Sequence, residues 1–321
     1  MKAAVYYETG KPDVFKYEDR DDPGMFATGV LIKAEAISIE GGDVLNRAGG
    51  DMPSKPHIVG YQCAGTIVQV GDSVSDRKVG DRVVASMPFG SHAELVAVSS
   101  MQTWPLPEGL DVREGACIPI AFGTAHDCLF EFGRLQAGEK VLIQGGAGGV
   151  GLAAIQLAKR AGATVLATAS SDEKLERLKE YGLDYGVNYR DGDWVAAAKS
   201  ASGSGVNLVV DPVSTTLAGS VQATAYKGRV VVVGNAGRAV ERSVDPGVLG
   251  EMNRSLTGVF FGGSLMLERA RAYPMVQSLI DDVGKGELKV VIDREFPLSD
   301  AGTAHEYIES RQAFGRVLLI P

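Results

Sequence analysis

The sequence predicts an α/β protein in two parts, one β-rich and one built on a doubly wound parallel sheet. Three observations predict it. At 321 residues the chain is long for a single core, and a prior of about 150 residues per domain suggests two. Up to about residue 120 the apolar signal comes in short β-rich pieces cut by Gly, Pro and Asp. From about residue 139 strand and helix patterns alternate, the rhythm of a parallel sheet covered by helices.

In the first part AAVYY, GVLIKAEAI, AGTIVQVG, DRVVAS and AELVAVS read as strands of a mostly antiparallel sheet, with GMFATG and GDSVSDRKVGD as turns. In the second, KVLIQ, ATVLATA, NLVVD and GRVVVVG read as strands. Between these, GVGLAAIQLAKRAG, SDEKLERLKEYG and STTLAGSVQATAY read as helices. The first stops at Gly162, and Ser171 caps the second with Asp172 and Glu173 in its first turn. After Gly262 the pattern predicts a helix over about 265–283, a strand KVVIDREF, a helix AGTAHEYIESRQAF and a strand RVLLI. Composition leaves open which sheet this tail joins.

With 45% hydrophobic and 22% charged residues the chain has a globular balance, and a net charge of −8 argues against a nucleic-acid backbone as its main partner. Cys63, Cys117 and Cys128 form no C-x-x-C pair, so neither a disulfide framework nor a cysteine zinc site is indicated, and a reducing cytoplasm is expected. Cys63 and Cys117, in apolar surroundings, read as packing residues. The stretch MKAAVYYETGKPDVF lacks the apolar core of a secretory signal. No apolar run reaches the roughly 20 residues that span a bilayer.

The chemistry-bearing motif is QGGAGGVG. A lone G-x-G-x-x-G carries little information in a chain with 41 glycines, but here Gly146, Gly148 and Gly151, with Gly149 and Val150 between, follow an apolar strand and open a helix. Glycine permits the sharp turn, the approach of backbone N–H groups to a pyrophosphate and close helix–strand packing. The helix N-terminus adds positive potential. A dinucleotide site is therefore expected. An acidic residue about 20 positions on would hold the ribose hydroxyls of NAD. This chain has Thr168, Ala169, Ser170 and Ser171 there. Ser170, Ser171 and Lys174 can bind a 2′-phosphate, which favours NADP; Asp172 counts against this unless it serves the next helix.

His57, His92, His126 and His305 are scattered, with no H-x-x-x-H or H-E-x-x-H pair, so each reads as structural and no metal is expected. There is no G-x-S-x-G elbow for serine chemistry either.

On the segments KAAVYYETGKPDVFKYED, VGYQCAGTIVQVGDSVSDRKVGDRVVA, GSHAELVAV, LQAGEKVLIQGGAGGVGLAAIQLAKRAGATVLAT, VVDPVS and AHEYIESRQAFGRVLLIP, the chain resembles the zinc-independent medium-chain dehydrogenases/reductases, close to the quinone oxidoreductases of the zeta-crystallin type. The resemblance implies a GroES-like catalytic domain from residues 1–120 and 262–321, and a Rossmann NADP-binding domain over 121–261. It implies NADPH in the cleft between them and a homodimer joined through the Rossmann sheets. Ser170, Lys174 and Tyr189 would hold the 2′-phosphate, while Thr124, Asn235 and Phe260 fall in segments beside the nicotinamide. Zinc-dependent relatives carry Gly-His-Glu where this chain has Gly60, Tyr61 and Gln62, and a four-cysteine lobe that it lacks.

The expected reaction is metal-free hydride transfer from NADPH to a quinone or an α,β-unsaturated carbonyl, with neutral donors stabilising the developing oxyanion. The segment SIEGGDVLNR is the substrate side in such enzymes. Asp43 keeps the usual aspartate, but Glu40 replaces an asparagine and Leu45 a tyrosine. Glu40 and Asp43 are candidates for proton delivery, and Tyr61 is a further donor. The plainer expectation pairs Asp43 with Arg47 at i,i+4 and leaves Glu40 facing water. His126 and Asp127 are expected to begin a helix near the cofactor. An enoyl-thioester reductase, or an NADPH-binding sensor or structural protein with little turnover, stays open as an alternative.

Overall fold

The computed structural model describes residues 1–238 and 243–321. It divides into two units, Met1–Ile120 with Arg269–Pro321, and Ala121–Glu268. The first unit contains β1 (Lys2–Val5), β2 (Lys16–Asp19), β3 (Gly29–Ser38), α1 (Gly41–Gly49), β4 (Gln62–Val70), β5 (Arg82–Ser86), β6 (Leu95–Ser99), β7 (Thr103–Pro105) and α2 (Val112–Gly115). The division falls within α3 (Ile118–His126).

The second unit continues with β8 (Lys140–Ile143), α4 (Gly149–Arg160), β9 (Thr164–Ala169), α5 (Asp172–Lys179), β10 (Tyr185–Asn188) and α6 (Trp194–Ser202). It ends with β11 (Val206–Asp211), α7 (Leu217–Ala223), β12 (Thr224–Val233), α8 (Pro246–Gly250), β13 (Ser255–Val259) and α9 (Phe261–Leu267). The chain then re-enters the first unit as α10 (Arg269–Gly284), β14 (Ile292–Pro297), α11 (Ala301–Glu309) and β15 (Arg316–Ile320).

Gly29–Ser38 is buried along its length except at Lys33 and Glu35, and β3 is paired on both edges. The sheet order is β14-β15-β3-β4-β5-β7, with β6 also on β3. Every pairing is antiparallel except β14 with β15. The tail therefore joins the first sheet. Leu318 lies opposite Ser38 and Leu319 opposite Ile37, which brings Arg316 to the entrance of α1.

In the second unit all strands run parallel in the order β10-β9-β8-β11-β12-β13. Counted within the unit this is 3-2-1-4-5-6, the doubly wound dinucleotide-binding order, whose ligand crevice lies at the carboxyl ends of the two central strands. Those strands are β8 and β11. Val141, Leu142, Val209 and Val210 on them are fully buried, as expected of strands covered by helices on both faces.

Two expectations are corrected. The helix over 265–283 is two helices, α9 and α10, which meet at a non-helical Glu268 (φ −123°, ψ 36°). Each is anchored in a different unit. Phe261 occupies the space a side chain at Gly123 would need and Ser264 Oγ donates to Asp127 at 2.7 Å; Tyr273 stacks on Trp104 at 5.2 Å. His126 and Asp127 do not begin a helix. The apolar run from Ile118 is already helical, and it continues through a π-helical turn at Asp127–Glu131.

Candidate functional site

The glycine turn leaves β8 and enters α4. Gly145 has φ +65°, and its N–H donates to Thr168 Oγ1 at 3.0 Å, while Gly146 N–H reaches Thr168 O at 2.8 Å. The glycines at the inner face have no room for a side chain. A Cβ on Gly151 would sit 2.4 Å from Gly145 O, and one on Gly146 would sit 2.8 Å from Ala167 Cβ. At Gly148 the nearest atom would be 3.5 Å away, so the outer face stays open. This is the shape that lets a pyrophosphate approach backbone N–H groups at a helix N-terminus, and the residues fit that group.

Beneath the turn lies a buried polar network. Thr168 Oγ1 donates to Gln144 Oε1 at 2.8 Å, and Gln144 Nε2 donates to Ser220 Oγ at 3.2 Å. Ser220 Oγ donates to Asp211 Oδ2 at 2.7 Å. Asp211, fully buried, also accepts from the Val213 and Ser214 N–H groups and from Thr216 Oγ1, each at 2.9 Å. A carboxylate with this many donors holds the loop after β11 rigidly. Thr168, Gln144, Asp211 and Ser220 were not among the residues expected from the sequence; their signal was only their place at the ends of adjacent strands.

The residues expected at a 2′-phosphate lie on adjacent segments at the ends of β9 and β10. Ser171 caps α5, accepting from Lys174 N–H at 3.3 Å, and Tyr189 N–H bonds Ala169 O at 3.1 Å, which brings Tyr189 beside Ser170. Asp172 accepts from Asn188 Nδ2 at 3.2 Å. Asn235 follows Gly234 in the loop after β12, and Ser214 Oγ donates to Gly234 O at 2.8 Å, joining that loop to the one after β11. Phe260, 72% exposed, stands at the start of α9, and Thr124 is buried on α3 next to Gly123.

The substrate-side residues form a separate cluster in the first unit. Glu40 N–H donates to Asp43 Oδ2 at 2.7 Å, one half of a capping box at the start of α1. Glu40 does not face water; it is 4% exposed. Its carboxylate takes the Arg316 guanidinium and the Gln62 amide, because the return of β15 delivers Arg316 there. Arg316 also donates to Ser38 Oγ at 2.7 Å and Ile39 O at 2.9 Å. Gln62 accepts Ile120 N–H at 3.1 Å.

Asp43 does not pair with Arg47 either. The Arg47 guanidinium reaches Glu309 and the Gly10 carbonyl. Asp43 is 0% exposed, and its Oδ1, like the hydroxyl of Tyr6, has no hydrogen-bond partner among the described residues. Burial holds the Asp43 carboxyl well above its ordinary range, against the pull of the Glu40 N–H. Burial also raises Glu40, with Arg316 and Gln62 opposing. Tyr61 is half-buried, and its hydroxyl accepts from Asn46 Nδ2 at 2.8 Å. Arg316, Gln62 and Asn46 were missed from the sequence.

Burial pushes the thiols of Cys63 up to about 12 and Cys117 up to about 11, so both are inert packing groups. His92 and His305 face each other inside the first unit, Nε2 to Nε2 at 3.1 Å. Burial lowers both, His92 to about 3. Among the described residues no group of three His, Cys, Asp or Glu side chains is placed to hold a metal ion, and no helix is long and apolar enough to cross a membrane.

Two family models match the chain: an alcohol dehydrogenase GroES-like domain over residues 27–108 and a zinc-binding dehydrogenase domain over 149–280. A quinone oxidoreductase of Rattus norvegicus is 34% identical over 327 residues, spanning 100% of this chain and 98% of the relative. The synaptic vesicle membrane protein VAT-1 homolog of Homo sapiens is also 34% identical, over 91% of this chain and 79% of its own length. A crystal structure of Escherichia coli quinone oxidoreductase complexed with NADPH superposes with a TM-score of 0.95 at 27% identity, covering 100% of both chains. Fold and site together define a medium-chain dehydrogenase/reductase. Within that class the chain belongs to the zinc-independent quinone oxidoreductase family, the zeta-crystallin type.

Proposed function

We propose that this protein is an NADPH-dependent reductase of quinones or α,β-unsaturated carbonyls, working by metal-free hydride transfer. The observation that carries the reading is the glycine turn with its closed inner face and open outer face, followed by Ser170, Ser171, Lys174 and Tyr189 gathered at the ends of β9 and β10. Bound NADPH would supply the hydride. The turn from Gly146 to Gly151 holds the pyrophosphate through backbone N–H groups, and Ser170, Lys174 and Tyr189 hold the 2′-phosphate. Asp172 is engaged by Asn188. Thr124, Asn235 and Phe260 orient the nicotinamide.

On the substrate side Glu40 and Asp43 shape the wall rather than deliver protons. Glu40 is committed to Arg316 and Gln62, and Asp43 is sealed from solvent. Three buried free thiols suit a reducing cytoplasm. The edge strand β13 is the surface on which two copies would pair as a homodimer.

The test follows the loss of NADPH absorbance, with NADH in parallel, against quinones, enals, enones and enoyl thioesters. We expect turnover of a quinone or enone with NADPH preferred. Lys174→Ala should raise the KM for NADPH about tenfold, the scale of a charge-assisted hydrogen bond, and leave NADH unchanged. A preference for NADH, or no reduction of any acceptor, overturns the reading.

A further inference from the structure

The substrate side lacks an evident acid. Of its candidates Glu40, Asp43 and Tyr61, the first two are buried within their own interactions, and Leu45, standing where a tyrosine is usual, offers no hydroxyl. Of the three, Tyr61 alone is half-buried rather than sealed, and its position is over-determined. The preceding Gly60 has φ +118°, and a Cβ there would lie 2.0 Å from Ser91 Oγ, so only glycine lets the chain turn at this point. Ser91 N–H bonds Gly60 O at 3.3 Å and Met87 N–H bonds Tyr61 O at 2.9 Å, pinning the backbone on both sides. The ring then lies against α1 where that helix has no side chain: a Cβ on Gly42 would be 2.3 Å from Tyr61 Cε2 and 2.7 Å from its hydroxyl. One turn on, at i+4, Asn46 Nδ2 donates to the same hydroxyl at 2.8 Å.

That polarity decides what Tyr61 can do. Its oxygen accepts, so its own proton points elsewhere, and among the described residues no acceptor is recorded for it. We propose that Tyr61, seated on Gly42 and oriented by Asn46, is the hydrogen-bond and proton donor to the carbonyl oxygen of the acceptor. The inference rests on the reductase reading and names the acid which that reading leaves open. For an enone, hydride adds to the β-carbon and the C=C pair shifts to make an enolate. The enolate oxygen takes the proton from Tyr61 Oη, and the resulting phenolate recovers a proton from water; the enol then tautomerises to the saturated ketone. Burial, with the Asp43 carboxyl beside it, pushes the Tyr61 phenol up to about 12, so it carries its proton at neutral pH. Asn46 is a positioning residue, because it acts only through Tyr61.

The test has a binding arm and a turnover arm. In the first, p-nitrophenolate, an oxyanion with the shape of a reduced quinone, is titrated by absorbance into the protein without cofactor. Tyr61→Phe should weaken it about tenfold or more, since a hydrogen bond to a charged group is lost. Asn46→Asp should do the same, because a carboxylate at that position captures the Tyr61 proton, whereas Asn46→Gln keeps an amide donor and should retain most of the affinity. In the second arm kcat for an enone should fall about 100-fold in Tyr61→Phe, the scale of general-acid catalysis, with KM for NADPH unchanged and the solvent deuterium effect on kcat abolished. Unaltered phenolate binding in both Tyr61→Phe and Asn46→Asp overturns the proposal whatever the turnover. If binding tracks Tyr61 but the parent protein reduces no acceptor, donation to an oxyanion stands and the reductase reading fails.

Discussion

The two units build polar sites in opposite ways. In the second, Asp211 is satisfied by neighbours in the chain, taking its donors from Val213, Ser214, Thr216 and Ser220, and the glycine turn bonds Thr168 on the next strand. In the first, buried charges meet partners far away in sequence, Glu40 with Arg316 and Arg47 with Glu309, and among the described residues Asp43 Oδ1 and the Tyr6 hydroxyl stay unpartnered. A locally satisfied site is rigid and tolerant of change elsewhere. A site of long-range buried charges depends on the closing of the whole sheet.

The contrast breaks most sharply at Arg316. Replacing it with Met leaves Glu40 buried without its cation, and removing one partner of a buried pair costs about 3–5 kcal/mol. Urea unfolding of Arg316→Met should show that loss, and a loss below about 1 kcal/mol would mean the pair is not the keystone of the first unit. In the second unit the comparable site is Gly151, where a methyl would lie 2.4 Å from Gly145 O. Overpacking of this kind costs about 1–3 kcal/mol. Gly151→Ala should shift the backbone of the turn and weaken NADPH, followed by its fluorescence, at least about tenfold. Binding within twofold of the parent would show that the inner face is less confined than its contacts indicate.

The smallest expected effect sharpens the comparison through pH. Asp43 has a folded pKa above its unfolded value of about 3.9, so the folded state binds more protons in the window between them. Its contribution to stability is fully present below about pH 3.9 and is lost as pH rises through the folded value. Within that window the slope approaches about 1.4 kcal/mol per pH unit. Asp43→Asn removes the titration while keeping an acceptor for the Glu40 N–H, so thermal melts from pH 4 to 8 should be flatter in the variant. Equal slopes in both proteins would show that Asp43 ionises freely.

Most of the framework was legible in the sequence because its signals are local. The period-2 run GVLIKAEAI became β3, the apolar strand before QGGAGGVG became β8, and Ser171 capped α5 as its spacing with Asp172 and Glu173 required. The strands that escaped notice, β2, β7, β10 and β13, are short and lie at sheet edges or in the small hairpin, where half-exposed residues blur the apolar pattern. The break at Glu268 was equally hidden, since the residues on either side of it, 265–267 and 269–273, favour helix and only their anchorage in separate units divides them.

The sequence by itself determined the two-part α/β architecture, the dinucleotide turn and the absence of a carboxylate at the end of β9, because each depends on residues within a few positions of one another. Only the tertiary structure decided the fate of Glu40, Asp43 and Tyr61. A helix reading can pair Asp43 with Arg47 at i,i+4, but it cannot know that β15 will bring Arg316 to Glu40 across 276 residues, or that Glu309 will claim Arg47. Electrostatic energies depend on separation and burial in space, and neither exists along the chain until the sheet has closed.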